Sequence, residues 1–182
     1  MATNTISRTL HDTGLALWSG GSAMGAIGVN GATKAAEPRE RIKVAGAGWK
    51  RWQPAHVGAV AAYGLGSAGL ILANRRRMRW QDGVGRLSMA KTALTVAALG
   101  ADAYATYLGR KAGQRANVPV DSATSPTDET PADVAKTLKQ LRVAQWVVPA
   151  LTGALVVLSA QMGEQQRPRE VALGMAKRML RR

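Results

Sequence analysis

The sequence predicts an all-α fold: an integral membrane bundle of four transmembrane helices with interfacial amphipathic helices at its edges. Three observations carry this. Charged residues make up 20% of the chain, yet windows 13–33, 52–74, 87–109 and 143–163 hold only Lys91 and Asp102 among them. A bilayer core about 30 Å thick needs about 20 helical residues, which each window supplies. The mean hydropathy of −0.11 hides this bunching. Finally, the chain has no Cys and only two His, His11 and His56. Disulfides, thiol nucleophiles and three-histidine metal sites are excluded. The sequence has no phosphate loop, no dinucleotide glycine motif and no nucleophile–His pair in a recognisable setting. A non-enzymatic protein without cofactor or metal is expected.

The first window is the weakest, with six Gly among its 21 residues. Arg8 before it would suit a signal peptide, but the stretch is too glycine-rich and no small-x-small cleavage site follows Asn30. It is read as a retained span. The second window is moderate, with Leu70, Ile71 and Leu72 near its end, and the third is Ala-rich. The fourth carries Val147, Val148, Leu151, Leu155, Val156, Val157 and Leu158 and would insert alone. Ala and Gly gain little in lipid, so the weaker windows need helical neighbours.

Between the first two windows, Pro38 to Trp52 reads as an interfacial helix, with Pro38 in its first turn. Ile42, Ala45, Trp49 and Trp52 share one face, while Arg39, Arg41, Lys43, Lys50 and Arg51 lie mostly elsewhere. Trp49 and Trp52 are expected at lipid headgroups. Residues 113–130, rich in Asn, Pro, Asp, Ser and Thr, have almost nothing to bury and read as a mobile loop. Thr130-Pro131-Ala132-Asp133 then looks like a helix start with a capping hydroxyl. Val134, Leu138, Leu141 and Gln145 continue one face into the fourth window, where Pro149 should kink the helix. Residues 168–182 form a basic amphipathic tail.

Arg75, Arg76, Arg77, Arg79 and Arg86 oppose only Asp82 in a short loop. Density of positive charge marks the cytoplasmic side, so both termini are expected there, in a multi-pass protein of the bacterial plasma (inner) membrane. These arginines should meet anionic headgroups. A basic run beside Trp80 also suits nucleic acid, but directly after a hydrophobic span a lipid-contacting loop is simpler, and nucleic acid is not an expected partner.

Small residues suited to close helix packing recur: Gly21 and Gly25; Gly58, Ala62 and Gly66; and Ala93, Ala97, Ala101, Ala105 and Gly109 at a spacing of four. Ala97 and Ala101 are expected to face a neighbouring helix, and Ala98 to tolerate bulk. Asp102 is the most informative residue, because a carboxylate in a span faces the bundle or a watery cavity. His56, Asn30 and Tyr104 fall near the same membrane level and could share a polar pocket with it. The simpler role for Asp102 is a hydrogen-bonded tie between weak helices. Lys91 can snorkel, and His11 and Asp12 at the inner boundary need no special role.

The run Leu15 to Gly25, the segment Gly48-Trp49-Lys50-Arg51-Trp52 and the stretch Gln145 to Gln161 resemble uncharacterised small four-span membrane proteins of high-GC actinobacteria. Arg outnumbers Lys, 17 to 8, as a GC-rich genome implies. A looser likeness is to four-span families of unknown function with an early His and Trp-x-Gly in the first helix. Neither likeness implies an activity or a residue role. The expected function is an accessory or scaffold subunit of an inner-membrane assembly, binding other subunits or itself. The alternative is a small proton-linked transporter or ligand-binding protein using the Asp102 pocket.

Overall fold

A computed structural model describes residues 2–80 and 84–164. The described chain is almost entirely helical. Helix α1 (Ala2–Met24) runs into a π-helical turn (Gly25–Val29), the short α2 (Asn30–Ala32) and a 3-10 turn (Thr33–Ala35). Then follow α3 (Arg41–Trp80), α4 (Val84–Gly113), a small antiparallel hairpin of β1 (Val120–Ser122) and β2 (Ser125–Pro126), and α5 (Ala132–Glu164). Each of the four windows lies in one long helical stretch. Among the described residues, two segments are long and apolar enough to cross a membrane, Arg41–Arg75 and Ala132–Glu164.

Helices α1 and α3 lie antiparallel, because glycines let their backbones touch. A Cβ at Gly14 would run into the backbone of Ala59 and Tyr63, and one at Gly66 into that of Ser7 and His11. Toward the hairpin end, Gly21 and Gly25 receive the indole rings of Trp52 and Trp49. Trp49 and Trp52 were expected at headgroups; they pack instead into the glycine face of the first helical stretch. Gly58 has open space at its Cβ position and packs nothing, while Ala62 is half-buried.

The four long helices meet at Leu15, Trp18, Ala59, Tyr63, Ala98 and Leu155. Ala98 is fully buried, whereas Ala93 and Ala97 are exposed. This corrects the expected alanine ridge. A repeat of four residues advances about 40° per step around a helix of 3.6 residues per turn. Over the span from Ala93 to Gly109 it therefore turns by about 160° and cannot stay on one face. The packed face follows the alternating spacing Leu94, Ala98, Ala101, Ala105, Leu108 and Ala112, on which the two middle alanines are half-buried.

Two further expectations are corrected at the hairpin end. No separate interfacial helix forms. Pro38 lies in a turn closed by Glu40 N–H donating to Glu37 O at 2.8 Å, and α3 begins at Arg41 and continues unbroken through Pro54. Nor is 113–130 a loop with nothing to bury. Val120 is fully buried against Ile42, Ala112, Val134 and Leu138. Arg41 holds the hairpin down: its Nη1 donates to Val120 O at 3.0 Å and Asp121 O at 2.8 Å. Its Nε and Nη2 donate to Ala36 O at 3.0 Å and Lys34 O at 3.3 Å, carbonyls left over at the end of the first helical stretch. Thr130 precedes α5 as expected, but its hydroxyl serves the loop, donating to Pro119 O at 2.6 Å and accepting from Thr127 N–H at 2.9 Å.

Large apolar side chains point outward on every long helix: Leu17, Leu65, Val96 and Val157 are each at least half exposed. Polar His11, Asn30, Thr33 and Thr152 are buried.

Ala98→Leu should therefore destabilise the fold by about 1–3 kcal/mol, as overpacking of a filled core does. Ala97→Leu should stay within about 0.5 kcal/mol of the parent. Thermal unfolding of the purified variants checks this, and equal melting of the two would contradict the packed face.

Candidate functional site

A cavity of about 470 Å³ lies between the helices beneath the hairpin, lined among others by Asn30, Trp49, Trp52, His56, Asp102 and Gln145. Its polar groups are set by helix phase. Trp49, Trp52 and His56 recur at three and four residues on α3, so one face carries all three. With Trp49 and Trp52 seated on Gly25 and Gly21, His56 stacks on Trp52, their ring centres 6.4 Å apart. Asp102 stands one turn from Ala98 on the packed face of α4. His56 Nε2 lies 2.9 Å from Asp102 Oδ2, with only 12% and 21% of the two side chains exposed. The distance is that of an ion pair, while the angles fall short of a hydrogen bond.

Asn30 joins three elements at the same level. Its Nδ2 donates to Gln145 Oε1 on α5 at 2.6 Å, and its Oδ1 accepts from Trp49 Nε1 on α3 at 3.2 Å. The π-helical turn just before it adds a residue to the turn, so that Asn30 N–H reaches Gly25 O. Such turns re-aim the side chains that follow them and recur at functional sites.

The structure thus brings together Asn30, His56 and Asp102 but not Tyr104. Tyr104 is 45% exposed and does not line the cavity. Two residues beyond Asp102, it is turned by about 200° to the other side of α4. Gln145, read in the sequence only as part of a helix face, supplies a polar group to the cavity. Arg75 is exposed at the far end of α3. Arg76, Arg77 and Arg79 lie in the same helix, but their side chains, like the tail 168–182, fall outside the described residues.

A second polar group at the opposite end of the bundle escaped the sequence reading. His11 is buried, with Nδ1 2.6 Å from Asp12 Oδ1 and Nε2 2.5 Å from Lys91 Nζ. Tyr63 Oη and Thr95 Oγ1 are 2.8 Å apart beside them. Lys91 therefore turns into the bundle rather than out to a headgroup. A signal was present: His11, Gly14, Trp18, Gly21 and Gly25 recur at three or four residues, placing His11 on the packed face of α1. Among the described residues no group of three or more His, Asp or Glu side chains is arranged to hold a metal ion.

Comparison with protein-family models, with curated proteins and with solved structures finds no match.

Asp102→Asn keeps the shape and a polar group beside His56, and should unfold within about 1 kcal/mol of the parent. Asp102→Leu strands His56 and should cost about 1–3 kcal/mol. A Leu variant as stable as the Asn variant would show that the pair does not tie α3 to α4.

Proposed function

We propose that the chain is a non-enzymatic, four-span protein of the bacterial plasma (inner) membrane, with both termini cytoplasmic. It binds a small polar solute at the His56–Asp102 pair and exchanges a proton with it. The observation that carries the solute reading is that pair itself: two groups able to hold or release a proton line a cavity large enough for a small ligand, beside the Trp49 and Trp52 rings. A merely structural tie has no need of a cavity at its side.

Membrane insertion is supported by what the two apolar segments leave uncovered. Only 22% of each apolar window is buried. A core helix of a soluble domain would be covered by its neighbours; these present their apolar faces outward, where lipid covers them. The weaker first and third windows are then held in the bilayer by their contacts with α3 and α5.

A second reading, an accessory or scaffold subunit, is favoured by a different observation. Ala93 and Ala97 are exposed, and nothing approaches the Cβ position of Gly100. Intramolecular packing leaves this small-residue face of α4 unused, and a helix of another subunit or a second copy fits it.

Washing membranes with carbonate at high pH should leave the protein in the pellet. An impermeant thiol reagent applied to spheroplasts should label Asp128→Cys and spare Thr5→Cys, both exposed positions on a chain without cysteine. Release by carbonate, or the reverse labelling, would overturn the membrane reading or its orientation respectively.

One complementation experiment separates the two roles. In a deletion strain, Asp102→Asn should accumulate normally yet fail to restore the parental phenotype, while Ala97→Leu should restore it. The opposite pattern would favour the scaffold.

A further inference from the structure

The His11–Lys91 end of the bundle holds a second cavity, of about 400 Å³, separated from the first by the Trp18–Tyr63–Ala98–Leu155 layer. Its chemistry follows from Lys91. An ammonium has three donors and no acceptor. His11 Nε2, 2.5 Å from Lys91 Nζ, must therefore accept, which places the ring proton on Nδ1, where it is donated to Asp12 Oδ1 at 2.6 Å. This chain orients a neutral His11 and consumes one donor of Lys91. The other two have no protein acceptor among the described residues; the nearest aromatic face, Tyr63, is 5.9 Å from Nζ.

The cavity wall carries Lys91 and Arg8 against Asp12, so with His11 neutral its charge is positive by one. The Asp12 carboxylate is 55% exposed and lies on the other side of the His11 ring from Lys91. Toward the centre of the bundle the wall carries Val60 and Leu99, with Thr92 and Thr95 between them and the polar end, while Ile71 and Met162 flank that end. A donor-rich cationic end joined to an aliphatic wall is the complement of an amphiphile with an anionic head. A simple anion would leave the aliphatic wall unused.

We propose that this cavity binds the phosphate group of an anionic membrane lipid, with Lys91 Nζ donating to the phosphate oxygens and an acyl chain lying along Val60 and Leu99 toward the bundle centre. The proposal rests on the membrane reading, since it places the site at the end of the bundle shared by Arg75 and the first residues of α1, the side assigned to the cytoplasmic leaflet. Basic pockets between spans on that side are suited to anionic headgroups. It is separate from attraction to the arginine loop, because the anion here sits between helices.

The test uses the full chain in a neutral detergent, titrated with dihexanoyl phosphatidic acid, dihexanoyl phosphatidylcholine and inorganic phosphate, and followed by thermal shift and calorimetry. Phosphatidic acid should bind saturably and raise the melting temperature; the other two should do neither at the same concentration. Lys91→Gln keeps an amide donor for His11 and removes the charge; it should weaken phosphatidic acid binding about tenfold or more, the worth of one charged hydrogen bond. Arg8→Gln should weaken it as well, which tests the site should Lys91→Gln not fold. Arg75→Gln should leave it unchanged.

Equal binding of inorganic phosphate would make this a free-anion site, and equal binding of phosphatidylcholine an acyl-chain site; either overturns the lipid-phosphate assignment. Full binding by both Lys91→Gln and Arg8→Gln, or loss of binding in Arg75→Gln, would also overturn it. The carbonate wash reports on membrane insertion independently of the titration, so failure of one reading is distinguishable from failure of the other.

Discussion

The backbone contact between α1 and α3 is the constraint on which the rest of the structure depends. Gly14 and Gly66 have no side chain to hold the helices apart, and any Cβ there would collide with the opposing main chain. This approach fixes the register of the pair. The register seats Trp52 and Trp49 on Gly21 and Gly25, and the seated Trp52 supports His56 from one side. At the other end the same register brings His11 beside Tyr63, their ring centres 5.0 Å apart, where Lys91 can reach it. In a bilayer, where apolar burial does not distinguish helix from lipid, such close contact is the main source of helix affinity.

The polar residues are distributed accordingly. Outward faces are aliphatic, and the interior carries His11, Asn30, His56, Lys91, Asp102 and Thr152. Each of these has a partner: Asn30 with Gln145 and Trp49, His56 with Asp102, His11 with Asp12 and Lys91, and Thr152 with the Val148 carbonyl at 2.9 Å. A buried polar group without a partner costs about 1–3 kcal/mol. Asn30 thus ties the first helical stretch to α3 and α5, His56–Asp102 ties α3 to α4, and His11–Lys91 ties α1 to α4, while Thr152 bonds within α5. The pairs also divide the interior into two polar ends with an apolar layer between them, each end beside its own cavity.

Arg41 does at the rim what the glycines do in the middle. Its guanidinium bridges the last carbonyls of the first helical stretch to the hairpin, in a fork geometry that an ammonium could not reproduce. Thr33 adds to the same junction, donating to Asn30 O at 2.5 Å and accepting from Ala123 N–H at 3.2 Å. The hairpin so held covers the Asn30–His56–Asp102 cavity, with Ala123 and Thr124 in its wall.

By itself the sequence determined the all-helical class and the positions of the four long helical segments, because charge spacing and apolar content are local properties of the chain. It also singled out Asp102, His56 and Asn30, since polar residues are conspicuous in uncharged windows. Rotational phase and partnership emerged only from the packing of the helices. The spacing-four alanines looked like one ridge, but a helix of 3.6 residues per turn carries Ala93 and Ala97 outward and leaves Ala98 inside. Trp49 and Trp52 read in the sequence as headgroup anchors, but Gly25 and Gly21 lie opposite them and take their rings. Tyr104 is close to Asp102 in sequence and far from it around the helix. The order of the 113–130 segment came from one arginine about 80 residues earlier, and the His11–Lys91 contact spans a similar separation. Contacts of that kind are set by how helices rotate and register against one another, which no local pattern encodes.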